Sequence, residues 1–177
     1  QRCHLQGISV LKEGKNFFDF RPGMKLSDVM DVFMPRYKGG KEQFIMASHV
    51  DRMKQSQCFI QSEKMTCITC HDPHVSVNVT PSATFNATCK NCHTSPEHSC
   101  KAPIEKRSVN NDNCFECHMP VSKTMDIPHV TIHDHKIQIP VSAKEKEKIQ
   151  QFIGLECMTD KNPDALRMAQ GYLTMYE

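Results

Sequence analysis

The chain has 177 residues, room for one or two small domains, and only 38% of them are hydrophobic, with no Trp. A formal net charge of +2 gives no basic excess to hold nucleic acid, and no apolar run approaches the roughly 18 residues of a membrane span. So thin an aliphatic complement leaves space that large apolar cofactors would fill, and ten Cys with ten His make such cofactors the expectation.

In chain order, residues 1–57 read as a lead-in with one helix near 41–56. Ile45, His49 and Met53 recur there at i, i+4 and share a face. Residues 58–120 are dense in Cys and His. Residues 121–140 read as extended. Residues 141–177 read as two helices, Ala143–Phe152 and about 163–177. Asn162 and Pro163 suit the start of the second, and Ala165, Ala169, Tyr172 and Tyr176 give it an apolar stripe for ordinary packing.

The chemistry lies in three complete C-x-x-C-H motifs: Cys67, Cys70 and His71; Cys89, Cys92 and His93; Cys114, Cys117 and His118. Two thiols one turn apart reach the two vinyl groups of one haem, and the His that follows lies under the iron as proximal ligand. Thr66, Thr88 and Asn113 precede the first Cys of each motif, where a helix cap is expected. Pro73, Pro96 and Pro120 follow each His, where a short helix should stop. The chain opens Gln1, Arg2, Cys3, His4, the second half of a fourth motif, so the sequence reads as a piece of a longer chain. At this Cys and His content chance predicts about 0.03 complete motifs. The rival is a four-cysteine zinc ribbon on Cys67, Cys70, Cys89 and Cys92. It leaves the third motif unpaired and most of the His unexplained. Haem c is therefore the expected cofactor, four copies in all and at least three. A ferric haem with ionised propionates carries about −1, so four would take the chain from +2 to about −2.

Six His remain for the far side of the irons: His49, His74, His98, His129, His133 and His135. His74 follows His71 too closely to wrap the same haem, so it would serve another. His129, His133 and His135 read as one face of a strand. His133 and His135, about 7 Å apart, cannot share an iron. His49 lies on the amphipathic helix face, where an iron ligand is favoured over a core His. Outside the motifs, Cys58 and Cys100 are candidates for a disulfide, and Cys157 has no evident partner.

CHDPH (71–74 with Cys70), CHMP (117–120) and IPHVTIHDHKI (127–137) resemble multihaem cytochromes of the cytochrome c-554 and pentahaem nitrite reductase superfamily. The closest likeness is to those with C-terminal tetratricopeptide-like helices, and SHVDRMKQSQCF and GLECMTDKNPDALRMAQGYL share it. The resemblance implies a mostly irregular and α-helical fold with little β and a core built on stacked haems. It implies a haem domain over 1–140 and a helical tail over 141–177. By its pattern His49, His74, His129 and His135 are the distal ligands, while His98 and His133 do not match. Every motif here ends in His, whereas the nitrite reductases carry a Lys in one, so no open catalytic iron is marked.

The expected function is electron transfer through closely packed, bis-histidine haems in an exported, periplasmic or extracellular protein, rather than an enzyme. The expected partners are other redox proteins or copies of itself, in an oligomer or filament, with no nucleic acid and no membrane span. The alternatives are a fragment of a multihaem redox enzyme acting on a small nitrogen or sulfur compound, and a structural scaffold. The intact mass of the mature chain should exceed the polypeptide mass by four haems. A mass with fewer than three would overturn the motif reading.

Overall fold

The computed structural model describes residues 4–41, 43–142 and 148–177. Cys3 and residues 143–147 of the helix expected over Ala143–Phe152 therefore lie outside the described residues. The elements in chain order are β1 (Ile8–Leu11), β2 (Met30–Lys38), α1 (His49–Lys54), α2 (Gln57–Gln61), α3 (Ser82–Cys92), α4 (Ile104–Ser108), α5 (Cys114–His118), β3 (Val121–Lys123), β4 (Thr131–His133), β5 (Gln151–Cys157) and α6 (Ala165–Tyr176). Two compact units emerge. The first comprises residues 1–52, 123–132 and 141–177, and the second 53–122 and 133–140. Among the described residues no helix is long and apolar enough to cross a membrane.

The first unit is built on a three-stranded antiparallel sheet in the order β1-β2-β5. Register runs from Ile8 opposite Phe33 to Leu11 opposite Met30, and from Phe33 opposite Cys157 to Lys38 opposite Gln151. The central strand reads VMDVFM before Pro35, a nearly continuous apolar run suited to burial on both faces. Pro35 cannot donate to a ladder, and it lies beyond the last residue paired with β1. Alternation splits β2 between two clusters. Met30 and Val32 join Leu5, Leu26, Val29 and Val50, whereas Phe33 joins Val10 and Leu155 under Met168, Tyr172 and Met175 of α6. Helix α6 comes close because residue 171 is Gly: a Cβ there would stand 3.0 Å from the Phe33 ring.

This arrangement corrects the expected fold class. Of the described residues 32% are helical and 15% strand, with two antiparallel sheets, and the first unit's core is aliphatic and aromatic side chains rather than stacked haems. Gln151 and Phe152, expected to end a helix, instead open strand β5, because Phe152 and Leu155 serve the sheet and its helix-facing cluster. The helix expected over 41–56 is limited to α1, and His129 lies outside the strand expected to carry it. Helix α6 starts at an Asp164 cap, two residues after Asn162, with the carboxylate accepting from the Arg167 amide. Of its expected stripe, Tyr172 packs inward while Ala165, Ala169 and Tyr176 are exposed.

One buried carboxylate ties β1, β2 and α6 together. Asp31, 0% exposed on the central strand, accepts from Lys12 Nζ at 2.8 Å and from Arg167 Nε at 2.7 Å. Arg167 also donates to the carbonyls of Val10 and Leu11. Burial alone would raise the Asp31 carboxyl, but hydrogen bonds and charge from Lys12 and Arg167 outweigh it and hold the pKa below its usual value. The stability this lends is present above the ordinary carboxyl range and is lost as pH falls below about 4. D31N should destabilise the first unit by about 3 kcal/mol, since it leaves Arg167 buried without its counter-charge. Urea unfolding followed from pH 3 to 7 should show the acid-dependent loss in the native chain and a much flatter profile in the variant.

Candidate haem-binding site

The three complete motifs all lie in the second unit, each in a different local structure. Cys67–Thr69 is a single 3-10 turn capped by Thr66, whose amide is bound by Thr69 Oγ1 at 3.0 Å, and the His71 amide closes on the Cys67 carbonyl at 3.0 Å. Cys89 and Cys92 form the last turn of α3, so Thr88 lies inside a helix and donates to the Thr84 carbonyl instead of capping. Cys114–His118 is α5 itself. Asn113 precedes it without a side-chain cap bond, and Asn86 Oδ1 of α3 accepts from the Cys114 amide at 2.9 Å. In each motif the His ends a turn, the position from which an imidazole can reach a metal beside the two thiols. Asn86 escaped sequence reasoning because its target is 28 residues away; its only signal is an Asn in the face of α3 one turn before Cys89.

The structure brings two of the expected proximal His close to two of the expected distal ones. In the first unit His4 and His49 stand with near-parallel rings, centroids 5.6 Å apart and planes 23° from each other. The Val50 amide donates to the His4 carbonyl at 3.1 Å, which fixes the first turn of α1 against the segment carrying His4. In the second unit His71 and His135 are 6.1 Å apart at 27°. Two imidazoles on opposite sides of one metal at about 2.0 Å per bond would have centroids about 6.3 Å apart. Ordinary aromatic pairs span about 4.5–7 Å as well. What sets these two apart is membership: each joins the His of a motif to a His expected on the far side.

The other expected ligands are dispersed. His74 is exposed in a turn whose amide binds Asp72 Oδ1 at 2.9 Å. His129 is exposed in the first unit, with φ of 63°, a left-handed backbone uncommon for a residue with a side chain. His93 and His118 are held by main-chain carbonyls: Nδ1 of His93 meets the His98 carbonyl at 2.7 Å, and Nδ1 of His118 meets that of Gln138 at 2.9 Å. His135 is held the same way by the His133 carbonyl at 3.0 Å. A carbonyl only accepts, so each Nδ1 carries the proton and each Nε2 is left as the basic nitrogen. Burial, with His71 alongside, lowers the pKa of His135 and keeps it in the neutral form that binds metal.

The motif thiols cluster. Burial and then the neighbouring Cys114, Cys70 and Cys58 push Cys89 up to about 11, and burial likewise raises Cys70 and Cys58. Cys58 feels Cys92, and it is not bonded to Cys100: both are free thiols, so the expected disulfide is not formed. Among the described residues no three or more His, Cys, Asp or Glu side chains form a group that could hold a metal ion.

The residues fit a covalently attached haem. A groove of about 410 Å³ opens beside Cys70 and His71, lined also by Ile68, Asp72, Pro73, Thr84 and Thr88. That volume is within the roughly 300–1,000 Å³ of small-molecule and cofactor sites. Ile68 is 71% exposed at its edge, and no hydrophobic side chain of the second unit is buried; only Ser56, Asp134 and Lys136 are. A porphyrin fixed at Cys67 and Cys70 would cover this apolar edge.

Residues 61–98 match the family described as a doubled CXXCH motif. This stretch, with Cys67, Cys70, His71, Cys89, Cys92 and His93 inside it, carries the covalent c-type haem signature of multihaem cytochromes. No curated protein and no solved structure matches the chain.

Replacing Asn86 with Ala should cost about 1 kcal/mol, the usual value of a lost N-terminal cap, and should fray the first turn of α5. Thermal unfolding would show the loss. Haem loading counted by intact mass should fall at the third motif and not at the first.

Proposed function

We propose that the chain carries electrons between redox partners through c-type haems whose irons are closed on both sides by imidazole. The near-parallel pairs His4/His49 and His71/His135, with ring centroids 5.6 and 6.1 Å apart, carry this reading. Bound haem supplies a ferric/ferrous couple. The chain's part is to hold it by two thioethers and present Nε2 of a His on each face. Main-chain carbonyls fix the tautomers of His93, His118 and His135, and burial keeps His135 neutral. An iron with both axial positions filled has none left for substrate, which favours a carrier over an enzyme. Two imidazoles also give a lower potential than a His/Met pair.

Four haems is the number the motifs support, with His4, His71, His93 and His118 proximal and the first bound through Cys3. The likeness to the cytochrome c-554 group supports His74 and His129 as further distal ligands. Thioether attachment supports an exported protein in a periplasmic or extracellular setting. Exposed haem edges on so short a chain support exchange with other haem proteins or with copies of itself in an assembly.

Electron paramagnetic resonance of the oxidised, haem-loaded protein tests the reading. The native chain should be low-spin throughout, and H49A and H135A should each add one high-spin haem at unchanged haem count. H98A should stay low-spin, because His98 serves His93 through its main-chain carbonyl. A high-spin native spectrum, or H49A and H135A variants that remain low-spin, would overturn it.

A further inference from the structure

The second unit contains one more imidazole built like a ligand, His133, which the family pattern passes over. Its Nδ1 lies 2.8 Å from the Met119 carbonyl. The carbonyl can only accept, so Nδ1 carries the proton and Nε2 holds the free lone pair. His93, His118 and His135 are anchored by the same bond, the arrangement by which metal-binding imidazoles are generally aimed. Packing fixes the ring as well: Phe115 meets it edge-on at 5.4 Å and 87°. Phe115 in turn packs on Phe85, and Phe85 on His71. The ring is half-buried, whereas His74 and His98 are exposed.

Resting on the reading above, we propose that His133 is an axial ligand to a haem iron other than the one between His71 and His135. His135 is two residues on, and its own Nδ1 is held by the His133 carbonyl, so the two rings cannot converge on one metal. Of the three motif imidazoles of this unit, His71 lies beside His135, while among the described residues no near-parallel imidazole pair includes His93 or His118. The iron that His133 closes is that of His93 or His118 in its own chain, or the corresponding iron of a second copy, and there it takes the place of His74 or His129, which the family pattern alone suggests. A purely structural His133 would hold the Met119 carbonyl and support Phe115, with Nε2 facing no metal.

The test uses the full haem-loaded chain. H133A should gain one high-spin ferric haem while its intact mass shows the native haem count. H133M should regain a sixth ligand as a His/Met pair, read as a low-spin spectrum with one potential raised. If H133A does not mature, H133M decides alone: a raised potential or a new high-spin haem supports the proposal, and a low-spin spectrum with native potentials overturns it. H133A that loads fully and stays low-spin also overturns it. The native protein separates the two sources. A spectrum that stays low-spin on dilution to single chains assigns the iron to the same chain. A high-spin haem that appears on dilution assigns it to a neighbouring copy. A native chain that carries no haem by mass fails the underlying reading instead, so the two failures are distinguishable.

Discussion

A main-chain carbonyl has no hydrogen to give, and much of the second unit follows from that. Wherever it meets an imidazole nitrogen it dictates the tautomer, and four rings of this unit are fixed so. The carbonyls come from His98 and Gln138 in loops, Met119 at the end of α5 and His133 at the end of β4. Irregular backbone, a liability elsewhere, here supplies the acceptors that aim the rings. Short helices serve the same end: α5 is one turn long, and it places His118 at its own terminus.

The first unit solves a different problem by different means. It has a conventional core, two apolar clusters on opposite sides of β2, and a buried carboxylate whose charge is met from two directions. Desolvating Asp31 costs energy, and the paired bonds from Lys12 and Arg167 offset it. What the salt bridge adds is register, because only one alignment of α6 over the sheet brings Arg167 to both Asp31 and the carbonyls of β1. The pair His4/His49 is therefore held on a frame with side-chain packing behind it, whereas His71/His135 belongs to a unit without buried apolar side chains.

The motif chemistry was legible in the sequence because covalent attachment demands a fixed local spacing, and helix periodicity and family likeness singled out His49 and His135 as candidates. The sheet was not. Its central strand contains an Asp and a Pro, both of which argue against a buried strand, and only the distant Lys12 and Arg167 make Asp31 tolerable there. Gln151 and Phe152 were misread as the end of a helix because Gln and Phe suit helix and strand alike, and pairing with β2 decides between them. Asn86 and the carbonyl anchors were hidden because they are long-range bonds with no periodic trace. His133 was visible as a residue but not as an anchored ring.

The pairing of Phe33 with Cys157 has a bearing on biogenesis. Strand β2 lies near the start of the chain and its partner β5 near the end, with all three complete motifs in the span between them. During synthesis the central strand must wait, one side open, until more than a hundred further residues have emerged. Contacts of such sequence separation form late. All three complete motifs therefore emerge before β5 can close the sheet on β2.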